Sequence, residues 1–149
     1  MEFNDILKIE KNNSYIIGLT SELKALYVYN YYKKYKQSIV VVCNTLYESN
    51  MFFQSLNNYT EDVLFFPMDD FLTSQALAIS PELKNTRLET IDELSNNNRK
   101  IVVTNLMGFL RFLPTKEIYQ NNSVYIKVNE EYDMKELLIR FHRMGYIRE

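Results

Sequence analysis

Cysteine and histidine occur once each in these 149 residues, as Cys43 and His142, and that scarcity removes whole classes of chemistry. Neither a zinc cluster nor a Cys–His nucleophilic pair can form inside the chain. A single thiol excludes an internal disulfide and fits a reducing compartment. No apolar stretch approaches the roughly 18 residues of a membrane span, and the N-terminus has no signal-peptide pattern. The expectation is a soluble, cytoplasmic protein without membrane contact. Glycine is confined to Gly18, Gly108 and Gly145, and no internal repeat occurs. The asparagine clusters at 96–98 and 121–122 read as connections.

What remains is the composition of an ordinary globular protein, 46% hydrophobic with a net charge of −2. That balance argues against a general nucleic-acid coat, though not against a local basic patch. The length suits one domain, or one domain with a fragment of a second.

Short unbroken apolar runs at Tyr15–Ile17, Ile39–Cys43, Val63–Phe66 and Ile101–Thr104 predict strands of a parallel sheet covered on both faces. Helical stretches lie between them. Residues 21–36 have Thr20 or Ser21 as N-cap. Residues 46–57 follow Thr45, with Glu48 completing a capping box. Residues 81–96 open on Ser80-Pro81-Glu82, and a short helix is expected at about 106–112. Alternation of this kind implies βαβ units and a doubly wound α/β layer.

After Pro114 the pattern changes. Ser123–Val128 alternates like a strand, with Val124, Ile126 and Val128 on one face. Asp133 and Glu136 then cap a helix with an apolar stripe of Leu137, Leu138, Phe141 and Met144, ended by Gly145. Tyr146-Ile147-Arg148 reads as the opening of another strand. These residues divide the chain into an α/β domain at 1–115 and, at 116–149, the start of a small α+β module continuing past Glu149.

The most telling motif is Gly18-Leu19-Thr20-Ser21-Glu22-Leu23-Lys24-Ala25. It keeps the first glycine and the lysine of the phosphate-loop pattern Gly-x-x-x-x-Gly-Lys-Ser/Thr. The second glycine, which lets backbone approach an anion, is Leu23. The hydroxyl that ligates magnesium is Ala25. Lys24 alone offers a point charge without a cradle. One Gly and one Lys six apart also match by chance, but the preceding apolar run and the following helix supply the right setting.

Other candidates are weaker. Asp69-Asp70 follow an apolar strand and resemble the magnesium-holding acid of an NTPase, yet Pro67 intervenes, and turn formation or helix capping accounts for them better. Tyr27, Tyr29, Tyr31, Tyr32 and Tyr35 interleave with Lys33, Lys34 and Lys36, which suggests base stacking and phosphate contacts. On a helix they point in all directions, so the plainer reading puts tyrosines against the sheet and lysines in water. Cys43 reads as core and His142 as a solvated helix residue. Lys135, Arg140, Arg143 and Arg148 form a second basic group, either a protein-binding face or a solvated helix. No catalytic residue, bound cofactor or metal is expected.

Several segments, in order, resemble the N-terminal region of the bacterial transcription-repair coupling factor (Mfd). They are Ile16–Thr20, Ile39–Val42, Leu64–Asp70, Ser80–Leu83 with Arg87, Ile101–Thr104 and Phe109–Pro114. That region is similar to the excision-repair subunit UvrB but lacks its ATPase function, which the altered octet fits. The resemblance implies a P-loop-derived fold and a non-catalytic recruitment role: binding UvrA through the module beginning near residue 116. RNA polymerase and DNA would be engaged by other domains of a longer protein, which carries the ATP-dependent translocase. Arg148, in Gly145-Tyr146-Ile147-Arg148, matches an arginine in the UvrA-contacting region, with Tyr146 beside it. UvrB also inserts a long DNA-probing hairpin after its matching strand. Here only Pro67 to Ile79 separate that strand from the next helix, so no such hairpin is expected. An atypical NTP-binding domain using Lys24 with Asp69 or Asp70, and a DNA-binding module using the tyrosine–lysine helix, are the alternatives.

Overall fold

The structure, a computed structural model, describes residues 15–70, 80–96 and 98–146. These form two compact units, Met1–Arg111 and Phe112–Glu149.

The first unit is an α/β layer. Its elements are α1 (Ser21–Tyr35), β1 (Ile39–Cys43), α2 (Leu46–Asn57), β2 (Val63–Phe66), α3 (Pro81–Ser95), β3 (Ile101–Asn105) and α4 (Leu106–Phe109). The three strands pair in parallel in the order β1-β3-β2, with Ile101 opposite both Ile39 and Val63. The last strand in sequence is therefore the central one, and every residue of β3 is buried. β-Branched residues suit that doubly flanked position.

Because side chains alternate along a strand, Ile101 and Val103 share one face. They form the core with Ala25 and Tyr32 of α1, Leu56 of α2 and Val63. Burying each of the larger side chains contributes about 1.5–3 kcal/mol. The other face differs from expectation. Val40 and Val42 remain 58% and 42% exposed, so β1 is not covered on both sides. It lies at the edge of the sheet, and α1 and α2 pack on its opposite face.

Local chemistry sets most helix starts. Thr20 Oγ1 accepts from Leu23 N–H, and Thr45 Oγ1 from Glu48 N–H. Glu48 returns its carboxylate to the Asn44 N–H at 3.1 Å, one residue before the expected partner. Ser80 makes no side-chain cap bond, so Pro81 and Glu82 carry that start. Helix α1 ends as Lys36 turns left-handed, at φ +50°.

Three expected elements fail or shrink. Tyr15–Ile17 is no strand: Ile17 is almost fully exposed, and Gly18, at φ +82°, turns the chain directly afterwards. The helix expected over 106–112 stops at Phe109. In the second unit, Ser123–Val128 has the alternation of a strand but no partner strand among the described residues. A ladder needs a second strand to take its N–H and C=O groups. Instead the chain turns at Lys127–Glu130, with Asn129 at φ +67°. One helix was not anticipated, α5 (Lys116–Asn121), capped by Thr115. It is followed by α6 (Met134–Arg143), whose cap Asp133 accepts from the N–H groups of Lys135 and Glu136. Gly145, at φ +88°, terminates it as expected.

The central strand ends on Asn105, fully buried and bonded on every side. Its amide oxygen accepts from the N–H groups of Met68 and Gly108, and its nitrogen donates to Met68 O and to Asp70 Oδ1. Replacement by alanine strands these groups in a buried site, and Asn105→Ala should cost about 3 kcal/mol, read as a lowered midpoint in urea. Gly108 packs so closely on Thr104 Oγ1, itself bonded to Phe66 O, that a Cβ has no room. Gly108→Ala should cost about 1–3 kcal/mol by the same measurement.

Candidate functional site

The octet Gly18–Ala25 lies at the entry to α1, and the helix begins early within it. With Thr20 as N-cap, Leu23 and Lys24 already belong to the first turn. Their backbone N–H groups are used within the protein: Leu23 N donates to Thr20 Oγ1 at 3.4 Å, and Lys24 N to Thr20 O at 3.0 Å. An anion cradle needs such groups free and converging. Ala25 is fully buried in the core, so its position faces hydrocarbon. Lys24 itself is exposed.

Beside the octet is a cavity of about 710 Å3 between α1, β1 and α2. Lys24, Glu22, Glu48 and Cys43 contribute its polar groups, and Tyr47 and Met51 lie on the α2 side. Glu22 accepts from Ser55 Oγ at 2.9 Å, and Glu48 holds the Asn44 N–H. Two carboxylates thus stand against one ammonium, a balance that disfavours a polyphosphate.

Cys43 packs half-buried against the core, as expected, and it also lines this cavity. Burial raises the thiol pKa first, the Glu48 charge adds to the rise, and Lys24 opposes it. The thiol therefore stays protonated where an ordinary cysteine begins to ionise, and it is a poor nucleophile near neutrality.

Asp70 is committed structurally. Its carboxylate takes the Leu46 N–H at 2.9 and 3.0 Å, anchoring the first turn of α2, and also accepts from Asn105 Nδ2. Turn formation or helix capping is the expectation for the acidic pair; Asp70 caps, although the helix is an earlier one in the sequence. Asp69 acts electrostatically on Arg87, opposing the lowering of that guanidinium's pKa by burial. Arg87 donates to Pro67 O at 2.9 Å. Asn105, the hub of this group, escaped the sequence reading; the available signal was an asparagine ending an apolar strand three residues before a glycine.

The tyrosine–lysine helix forms no continuous stacking platform. Tyr32 is buried, donates to Arg99 O at 2.7 Å with Asp62 Oδ2 also within 3.1 Å of its hydroxyl, and lies under the Arg99 guanidinium at 4.3 Å. Tyr29 stacks on Tyr59, and Lys33 and Lys34 lie over the rings of Tyr29 and Tyr35.

In the second unit, His142, Arg140 and Arg143 are exposed in the last turn of α6. Tyr146 is 66% exposed, with its ring edge-on to Phe141 at 5.5 Å. Ile147 and Arg148 lie outside the described residues, as does most of the connection from Pro67 to Ile79. Among the described residues no group of His, Cys, Asp and Glu is arranged to hold a metal, and no helix is long and apolar enough to cross a membrane.

No family model and no solved structure matches this chain. Curated relatives do. A transcription-repair-coupling factor of Staphylococcus haemolyticus (strain JCSC1435) is 26% identical over 139 residues, and one of Staphylococcus aureus (strain bovine RF122 / ET3-1) is 25% identical over 139 residues. Each alignment covers 92% of this chain and 12% of the relative. The chain thus resembles transcription-repair coupling factors along most of its length and spans a small part of theirs.

The opposing charges around Cys43 set an order of reactivity. At pH 8, alkylation of Cys43 by iodoacetamide should be slower than that of free cysteine. Lys24→Ala should slow it further by removing the charge that favours thiolate, and Glu48→Gln should speed it. Equal rates in the three proteins would show that these charges do not act on the thiol.

Proposed function

We propose that this chain is the UvrB-like recruitment module of a transcription-repair coupling factor, binding UvrA and hydrolysing no nucleotide. The observation that carries the non-catalytic part is the early start of α1. Thr20 takes up the Leu23 and Lys24 N–H groups, two of those that a phosphate cradle would present, and Ala25 is turned into the core. Similarity along 92% of the chain to transcription-repair coupling factors supports the recruitment part. On this reading residues 1–115 are a P-loop-derived domain kept as a scaffold, and residues 116–149 begin the UvrA-binding domain, with Arg148 and Tyr146 at the contact. RNA polymerase and DNA belong to the rest of a longer, cytoplasmic protein.

A second reading, an atypical NTP-binding domain, is favoured by the cavity beside Lys24. Of its two candidate acids, Asp70 is bonded to Leu46 and Asn105, which leaves Asp69. Titration with a fluorescent ATP analogue separates the two readings. No magnesium-dependent binding is expected at micromolar concentration, and its appearance overturns the scaffold reading.

For recruitment, the measurement is a UvrA pull-down with this chain and with one extended past Glu149. The extended chain should bind, and Arg148→Ala should weaken it by about tenfold, a typical loss for an interface arginine. Failure of the extended chain to bind removes the proposal; wild-type affinity in the variant removes Arg148 from the contact.

A further inference from the structure

The second unit contains a groove of its own, with no octet residue in its lining. It has a volume of about 80 Å3 and is lined by Asn121, Asn122, Val124, Arg140, Arg143 and Met144. Arg140 and Arg143 are three residues apart on α6, so they share a helix face. Both are exposed, and among the described residues neither has a carboxylate partner within ion-pair distance. Glu136, one turn before Arg140, is not paired with it. Asn122, which also lines the groove, gives one amide hydrogen to Ile118 O at 2.8 Å, which leaves its second for a ligand. Val124 and Met144, both half-buried, supply an apolar border.

Two unpaired guanidiniums beside amide donors make a receptor for a planar anion, because each guanidinium can give two parallel hydrogen bonds to a carboxylate. The size agrees: liquid water occupies about 30 Å3 per molecule, so the groove admits a group of carboxylate dimensions. The surroundings are those of a protein contact. Val124 and Met144 line it beside the two arginines, and arginine set among aliphatic side chains is typical of interfaces. A nucleic-acid phosphate track instead requires a run of cations free of acids. Residues 112–149 carry as many acidic as basic side chains.

We propose that the groove walled by Arg140 and Arg143 receives an Asp or Glu carboxylate from an acidic segment of the protein partner, seated through charge-assisted hydrogen bonds. That partner is UvrA, and the proposal rests on the recruitment reading above.

The test is calorimetric titration of UvrA into the chain extended past Glu149, with Arg140→Glu/Arg143→Glu compared with wild type. The double variant should bind at least about tenfold more weakly, as for truncated charge pairs at interfaces. Lys135→Glu, on the same helix but not lining the groove, should bind like wild type, and matched circular dichroism melts exclude unfolding. The conservative pair Arg140→Lys/Arg143→Lys should recover part of the affinity, since lysine keeps charge but loses the fork. Wild-type affinity in the glutamate variant overturns the groove and leaves recruitment standing. Failure of the wild-type extended chain overturns both. Tight binding of a fluorescein-labelled DNA duplex, lost in the same variant, assigns the groove to phosphate and overturns the carboxylate.

Discussion

The buried Asn105 side chain is the constraint on which the carboxyl end of the sheet depends. It ends the central strand, and its amide joins the exit of β2, through Met68 and the carboxylate of Asp70, to the start of α4 at Gly108. Asp70 passes the connection on to the first turn of α2 through Leu46. A buried amide is costly unless all its groups are met, and here they are. Among the described residues no buried side-chain nitrogen or oxygen lacks a partner. The network thus fixes where β2 leaves the sheet and where α2 begins.

The same bonding bears on function. Ligands of open parallel sheets are received at the carboxyl ends of the strands, where free helix N-termini and loop carboxylates converge. Among the described residues several of those groups are engaged by one another, though the start of α3 at Ser80 has no side-chain cap. Asp70 occupies the start of α2, Asn105 caps α4, and Thr20 occupies the start of α1. The cavity that remains beside Lys24 carries more negative than positive charge. An edge satisfied by its own side chains has little left with which to hold a polyphosphate. That is the physical content of the proposal that the fold persists here as a scaffold.

What was legible from residues alone divides along the range of the interactions. Thr20, Thr45 and Asp133 act over two or three residues, and each caps the helix expected of it. The apolar runs at 39–43, 63–66 and 101–105 are strands because burial between layers is written in their composition. Ser123–Val128 has an equally good pattern and forms no strand, because pairing depends on a partner that alternation cannot specify. Tyr15–Ile17 fails for a related reason, with Gly18 turning the chain away at once. Asn105 was invisible because its four bonds reach 37, 35 and 3 residues along the chain, and no local pattern encodes them. The altered octet was legible as a substitution pattern. That Thr20 consumes two of the cradle's N–H groups required the structure.

The two units also differ in what they leave exposed. In the first, polar groups near the sheet are paired inward, and Tyr32, the most buried of the α1 tyrosines, spends its hydroxyl on Asp62 and Arg99. In the second, α6 has no buried residue, although its stripe of Leu137, Leu138 and Phe141 has the spacing of a packing face. An amphipathic helix gains most of its stability from burying such a stripe, and one of ten residues is marginal alone. Its guanidiniums are likewise without carboxylates among the described residues. Apolar and charged groups unsatisfied on one short helix can be met together by a single surface bearing acids among apolar side chains. A small molecule in an 80 Å3 groove meets only the charges. The unmet half of the helix is therefore the argument for a macromolecular partner, and it is independent of the octet that first drew attention to the chain.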